Sequence, residues 1–281
     1  MIFCLNLCEI SARSSSFSET IQELFQNIEK DRNVKIERVF IGSSFCSQYF
    51  INFSSWIKAV DFCRKKNIKI TLVVPVFSES NLFIGKKKID KILSESNEII
   101  DEITVNDIGM LSLFQAKKEL KINMGRLFFK DPRDCRVPAY TKLELSPQLL
   151  SCIGNQYLEK YNFNGIELDP TNEILNLSAA QPYNYSVAIH FPFCYTTTGN
   201  VCKFASIHKS IEKKFRPNTK CGMECGKIVD YYSGHVVQTD CDPTLVRIGR
   251  TLYFKNDNVT FVGKQPDRII YFPFEEWRKM L

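Results

Sequence analysis

Residues 68–77 read IKITLVVPVF, a nearly unbroken apolar run. A strand wet on one face alternates apolar with polar. A continuous run of β-branched residues fits a strand in a parallel sheet covered on both faces. Neighbouring segments repeat the theme. Residues 2–7 (IFCLNL) and 37–42 (ERVFIG) read as strands before it. Residues 101–105 (DEITV), 121–129, 165–169 (GIELD) and 186–193 (SVAIHFPF) read as strands after it. Between them the period changes. A capping box at Ser16 and Glu19 precedes Ile21, Leu24, Phe25 and Ile28, spaced as one face of a helix. Trp56, Ala59, Val60 and Cys63 mark a helix over 55–66, and Ile89, Ile92 and Leu93 one over 86–99. Further helices are expected over 108–120 and from the Ser146–Pro147 start to Tyr161.

Strand and helix thus alternate with a period of about 30 residues, which predicts βα units and a parallel sheet. At least seven strands favour an α/β fold of the TIM-like (β/α) barrel type, incomplete or irregular at its end. An open doubly wound sheet is the alternative. It lacks support from either phosphate-cradle motif: no G-x-G-x-x-G follows the first strand and no G-x4-G-K-[ST] occurs. The chain reads as a single domain over 1–281. Within it, βα repeats cover 1–193, a cysteine-rich metal region 194–230, and an irregular β-rich closing segment 231–281. That last segment holds LVRIGRTLYFK (245–255), VTFVG (259–263), RIIYFPF (268–274) and a closing helix in FEEWRKML.

The 281 residues are 44% apolar and 24% charged, enough to bury an ordinary globular core. A net charge of +6 is too small to argue by itself for a polyanion partner. MIFCLNLCEI lacks a basic leader and runs into polar sequence, which argues against a signal peptide. No apolar run approaches the ~20 residues of a spanning helix. A cytoplasmic location is expected, where eleven cysteines stand as thiols or metal ligands rather than disulfides. Cys4, Cys8, Cys63 and Cys152 lie in apolar-patterned segments and read as small buried hydrophobes.

The exception is residues 202–225, CKFASIHKSIEKKFRPNTKCGMEC. Cys221 and Cys225 form a C-x3-C pair and Cys202 opens the stretch. The eighteen residues between Cys202 and Cys221 carry six Lys or Arg and one acid, so they are not core. Thiols grouped around a polar loop point to a metal site. In a barrel the chemistry gathers at the C-terminal ends of the strands. Cys46 follows the second strand, and Cys194 and Cys202 follow the strand at 186–193, so all reach the same face. Four thiolates suit tetrahedral zinc or an iron–sulfur cluster, and spacing alone leaves both open.

IGSSFCS (41–47), VNDIGML (105–111), VAIHFPFCYTTTGNVCKFAS (187–206) and CGMEC (221–225) together resemble the collagenase-like U-type peptidase family, its thirty-second. The resemblance covers roughly residues 36–50 and 100–230. The nearest branch holds iron–sulfur proteins of oxygen-independent hydroxylation in ubiquinone biosynthesis. The resemblance implies a 4Fe–4S cluster on Cys46, Cys202, Cys221 and Cys225, with Gly42 and Cys46 matching a Gly-x-x-x-Cys-Ser pattern. It also implies a heterodimer with a sister member of the family and a small-molecule substrate. Cys194 is the alternative fourth ligand, because RNA-hydroxylating branches carry a cysteine one residue nearer to the position of Cys202. Those branches make RNA an alternative substrate, and a zinc-stabilised binding scaffold is a further alternative. Peptidase activity gains nothing from the residues: neither H-E-x-x-H nor G-x-S-x-G occurs.

Other polar residues take plainer readings. Asp107 reads as a helix cap, and Asp169 ends a strand on the face where a barrel places its chemistry. Arg126 and Arg133 read as salt-bridge partners. His190 reads as a satisfied core histidine, His208 as solvated, and His235 as ambiguous. Cys241 reads as a loop thiol. Lysines 203, 209, 213, 214 and 220 form a solvated face that can also offset cluster charge or attract an acidic partner or RNA.

Overall fold

The computed structural model describes the whole chain except residues 9–16, 53, 55, 116, 118, 130, 132–136, 218–220, 227–229, 233–244 and 280–281. The first half alternates β1 (Ile2–Asn6), α1 (Phe17–Arg32), β2 (Arg38–Gly42), α2 (Ser47–Asn52), α3 (Trp56–Lys66), β3 (Lys69–Val74), α4 (Glu79–Ser96), β4 (Ile100–Val105), α5 (Ile108–Phe114) and β5 (Lys121–Met124). Then come α6 (Pro138–Thr141), β6 (Glu144–Leu145), α7 (Cys152–Lys160), β7 (Gly165–Leu168), β8 (Ile174–Asn176), β9 (Ser186–Phe191) and β10 (Phe193–Thr198). The chain finishes with β11 (Asp230–Tyr232), β12 (Leu245–Ile248), β13 (Thr251–Lys255), β14 (Thr260–Val262), β15 (Arg268–Tyr271) and α8 (Phe274–Lys279).

Eight of these strands close a barrel in the order β1-β2-β3-β4-β5-β7-β9-β15, with every neighbouring pair parallel. The expected gap at the end is absent: RIIY pairs with β9 on one side and β1 on the other and completes the ring. Two small sheets are inserted. One orders β10-β13-β12-β11, and the other β14-β8-β6.

Strand alternation sorts the side chains into two interiors. Val39 and Ile41 of β2, with Ile70, Leu72 and Val74 of β3, face outward against the helices in the main core. Cys4, Phe40, Val73, Ala188 and Ile270 point into the lumen. Cys4 and Cys63 are both buried, and burial pushes each thiol up to about 12. Cys152 departs from expectation. It is exposed at the first residue of α7.

Several boundaries differ from the periodicity, each for a local reason. Helix α4 begins at Glu79, seven residues before the expected 86, because its first turns are exposed and carry no apolar period. The segment 146–161 splits, and Ser151 rather than Ser146 caps α7 by accepting the Gly154 amide at 3.2 Å. The strand expected over 186–193 ends at Phe191, and a cis Phe191–Pro192 bond separates it from β10. Asp107 caps α5 as read, accepting the Gly109 amide at 3.0 Å. Ser16, Arg133, Cys135, Lys220, His235 and Cys241 lie outside the described residues.

The lumen is unusually polar. At its lower end Arg38 pairs with Asp101 at 2.8 Å, and Arg268 with Glu102 at 2.7 Å. Higher up, Glu167 meets His190 Nε2 at 2.8 Å and accepts the Thr104 hydroxyl. His190 is buried, but its Nδ1 has no partner among the described residues, so it is only half satisfied. Burial raises Glu167 from 4.5 to about 8, and burial followed by Arg126 holds His190 well below 6.5. Both groups are therefore neutral near pH 7. A carboxyl whose folded value lies above its unfolded one stabilises fully at low pH and loses that contribution as pH rises through the folded value. Around pH 6.5 the unfolded His190 still titrates and contributes a slope of opposite sign, so the slope belongs chiefly to Glu167 only above that value, as pH approaches about 8. The expected outcome is a fall in wild-type unfolding free energy of up to about 1.4 kcal/mol per pH unit across this window. Glu167→Gln should lose that slope in urea titrations at graded pH.

Candidate metal centre

Four cysteines from three separate segments line one cavity above the C-terminal ends of the strands. They are Cys46, Cys202, Cys221 and Cys225. These are the four that the family resemblance implied. Cys194 is not among the lining residues. Its side chain is buried in β10 and donates to the Pro170 carbonyl at 2.9 Å.

Each thiol is placed by its own local device. Strand β2 ends at Gly42, whose φ of +114° suits glycine alone. A Cβ there would stand 2.2 Å from the Val73 carbonyl oxygen. The chain then turns at Ser43, whose buried hydroxyl accepts the amides of Phe45 at 3.3 Å and Cys46 at 2.9 Å. Cys46 enters α2, its carbonyl accepting the Phe50 amide at 3.0 Å and its sulfur the Tyr49 amide at 3.4 Å. Behind Cys202, the Ser206 hydroxyl donates to the Cys202 carbonyl at 3.1 Å and accepts the Phe215 amide at 2.9 Å. This folds the basic loop back onto its own start. In CGMEC, Met223 takes φ +63° and its amide reaches the Cys221 sulfur at 3.2 Å. The Cys221 thiol donates to Glu224 at 3.5 Å.

The fourth wall is the turn between β12 and β13. Gly249, at φ +59°, lets the backbone pass close to Cys225. Even its missing Cβ would come within 3.9 Å of that sulfur. Arg250 next to it reaches the Phe45 carbonyl through Nε at 2.8 Å and Asn200 at 3.5 Å. One guanidinium therefore ties the segments carrying Cys46 and Cys202 to the hairpin beside Cys225. Nothing in the sequence reading singled out Arg250. Its signal was a Gly-Arg pair between two β-like runs, which is a hairpin turn.

Beneath the cavity lies a buried ion pair. Arg126 donates through Nε to Asp169 at 2.7 Å, and through Nη2 to the other carboxylate oxygen and the Phe193 carbonyl. Burial disfavours the Arg126 charge, but Asp169 outweighs burial and holds the guanidinium firmly protonated. The guanidinium sits over the rings of Phe45, Tyr195 and Tyr253, at 5.2, 5.6 and 5.8 Å. Asp169 is thus neither a cap nor a free catalytic carboxylate. It anchors the floor.

The residues present fit a thiolate-bound metal group. All four donors are sulfur, and two already accept backbone amides, the bond that tunes such sites. Burial pushes Cys221 up to about 11, so a metal must displace its proton. The cavity leaves about 30 Å3 for the centres of water-sized atoms. That is about two to three times the room one water needs. Among the described residues no three His, Cys, Asp or Glu side chains already stand as a closed set of ligands. The four thiols share the lining of one cavity. Among the described residues no helix is long and apolar enough to cross a membrane.

No protein-family model matches this chain, and no curated protein matches it.

Gly42→Ala should cost about 3 kcal/mol in urea unfolding, through a left-handed φ and a backbone clash at the root of the Cys46 loop. Gly199→Ala is the control. Its Cβ would meet nothing within 4 Å, so its stability should be unchanged or slightly raised.

Proposed function

We infer that this chain is an iron–sulfur protein holding a 4Fe–4S cluster on Cys46, Cys202, Cys221 and Cys225. The observation that carries the reading is the arrival of four thiols, from three stretches distant in sequence, at one cavity. Bound there, the cluster would supply one-electron redox chemistry. The protein's own part is to orient the sulfurs and limit water. Ser43, Ser206 and Met223 set the thiol positions, while Ala205, Ile248 and Met223 line the walls. Arg250 sets one positive charge against the negative thiolates.

With the family resemblance, this reading extends to oxygen-independent hydroxylation of a ubiquinone precursor. The chain would act with a sister subunit, as the ubiquinone biosynthesis protein UbiV does with UbiU. The motifs at 41–47 and 221–225 support this extension, and the cytoplasmic expectation belongs with it.

The test is purification without air, with absorption, iron and acid-labile sulfide measured. Wild type should show a broad band near ~400 nm with about four irons and four sulfides. Cys46→Ala should lose the cluster, and Cys194→Ala should keep it. One zinc with no iron would replace this reading by a zinc-stabilised scaffold.

A further inference from the structure

Among the described residues, exposed large apolar side chains occur in several connections between barrel strands, one group falling within 137–153. Two other groups form protrusions beside the thiol cavity. The first is the start of α4, where Leu82, Phe83 and Ile84 are exposed in succession, Phe83 by 67%. Lys86 and Lys87 follow them, and Lys87 sits 4.4 Å over the Phe83 ring. The second is the loop behind Cys202, which exposes Ile207, Ile211 by 83% and Phe215 by 58%. Lys203, Lys209, Lys213, Lys214 and Arg216 interleave with them, against one acid, Glu212.

Both protrusions flank the thiol cavity. Helix α4 packs on α2, with the Lys88 ammonium on the Ile51 carbonyl at 2.8 Å, and α2 supplies Ser47, Gln48 and Tyr49 to the cavity wall. The Cys202 loop supplies Cys202 and Ala205 to the other side. Phe215 is held out at φ +54°, a conformation that bulky residues rarely take, with its amide fixed by Ser206.

We propose that this end of the barrel docks peripherally on an anionic lipid surface, with the α4 tip and the Cys202 loop as its two contact points. The charge is complementary: both protrusions are basic, and lysines near such a surface each contribute about 1 kcal/mol. The apolar residues decide between partners. Exposed aliphatics beside lysines suit the headgroup–acyl boundary. Single-stranded RNA needs aromatic platforms for its bases, and among the described residues of the two protrusions these are Phe83, Phe215 and His208, against the exposed aliphatics Leu82, Ile84, Ile207 and Ile211. A protein partner needs a broad contiguous packed patch, whereas the apolar groups here, Leu82, Phe83 and Ile84 on one protrusion and Ile207, Ile211 and Phe215 on the other, are small and bordered by lysines. The proposal does not rest on the cluster. If the cluster reading holds, docking brings the cavity mouth to where a lipid-soluble substrate resides.

The experiment is flotation of the full chain with vesicles of phosphatidylcholine alone, and with about one lipid in three replaced by phosphatidylglycerol. The expected result is binding to the anionic vesicles only, weakened by salt. Phe83→Asp and Phe215→Asp should each lower partitioning about tenfold or more, the loss expected when a buried ring is replaced. Lys86→Ala and Lys87→Ala should each lower it about fivefold. Cys46→Ala should float like wild type, so failure of the cluster leaves this result standing. The proposal is overturned if anionic vesicles do not bind, if none of the four surface substitutions reduces binding, or if the chain prefers homopolymer RNA to vesicles at the same salt.

Discussion

The cavity rests on the Arg126–Asp169 pair. Both side chains are fully buried where the lumen meets the inserted sheet. A charge placed there is tolerable only with its partner, and removing one member of such a pair costs about 3–5 kcal/mol. The pair also organises neutral groups. Asp169 accepts the Tyr195 amide at 3.0 Å, and the Tyr195 hydroxyl donates to the Arg126 carbonyl at 3.0 Å. Tyr195 packs against Phe45 with the rings tilted and their centroids 4.8 Å apart, and Phe45 is the residue before Cys46. The position of the first thiol is thus set from below by an ion pair in the barrel, and from the side by Arg250.

The inserted sheet explains how a barrel acquires such a site. Strand β10 leaves the ring directly after β9 and pairs with β13, so the hairpin β12–β13 returns over the strand ends. The long excursion between β10 and β12 carries Cys202, Cys221 and Cys225. A (β/α) barrel offers this end for chemistry because the connections there can vary without disturbing the ring. Here one connection grew into a lid with its own small sheet. Its sulfurs meet one residue of another connection, Cys46.

Much of the ring was legible because its signal is local. The run at 68–77 and the spacing of Ile21, Leu24, Phe25 and Ile28 each declare a period, and the period fixes which face is buried. Closure was not legible. RIIY looks like any short β piece, and only its pairing with β1 and β9 makes it the eighth strand. The gathering of Cys46, Cys202, Cys221 and Cys225 at one cavity was legible from residue type and from their places after strands, but the absence of Cys194 from that lining was not. Cys46 and Cys194 both follow strands. What separates them is that Pro192 ends β9 and turns Cys194 into a buried position on β10, a contact fact rather than a spacing fact. Arg126 and Asp169 were visible only as one cation and one carboxylate, and their burial comes from residues 43 apart meeting in space. His190 was read as satisfied because its strand is apolar, yet a lumen-facing position gave it Glu167 on one nitrogen and, among the described residues, no partner on the other.

The two ends of the barrel solve opposite problems with similar residues. At the lower end Arg38 pairs with Asp101 and Arg268 with Glu102, so those charges balance within the barrel. At the upper end cations are spread over exposed loops, where Lys213 and Lys214 face one acid and lie beside Ile211 and Phe215. Pairing inside a low-dielectric lumen holds the scaffold together, whereas unbalanced charge in water carries outward over about 10 Å and acts on whatever approaches. A chain selected only for stability would have no reason to hold Phe215 in a strained, exposed conformation on the loop that also carries Cys202. The Phe215 amide is held by the Ser206 hydroxyl, which also donates to the Cys202 carbonyl, so the outer surface of this loop is tied to the segment that carries one of the thiols.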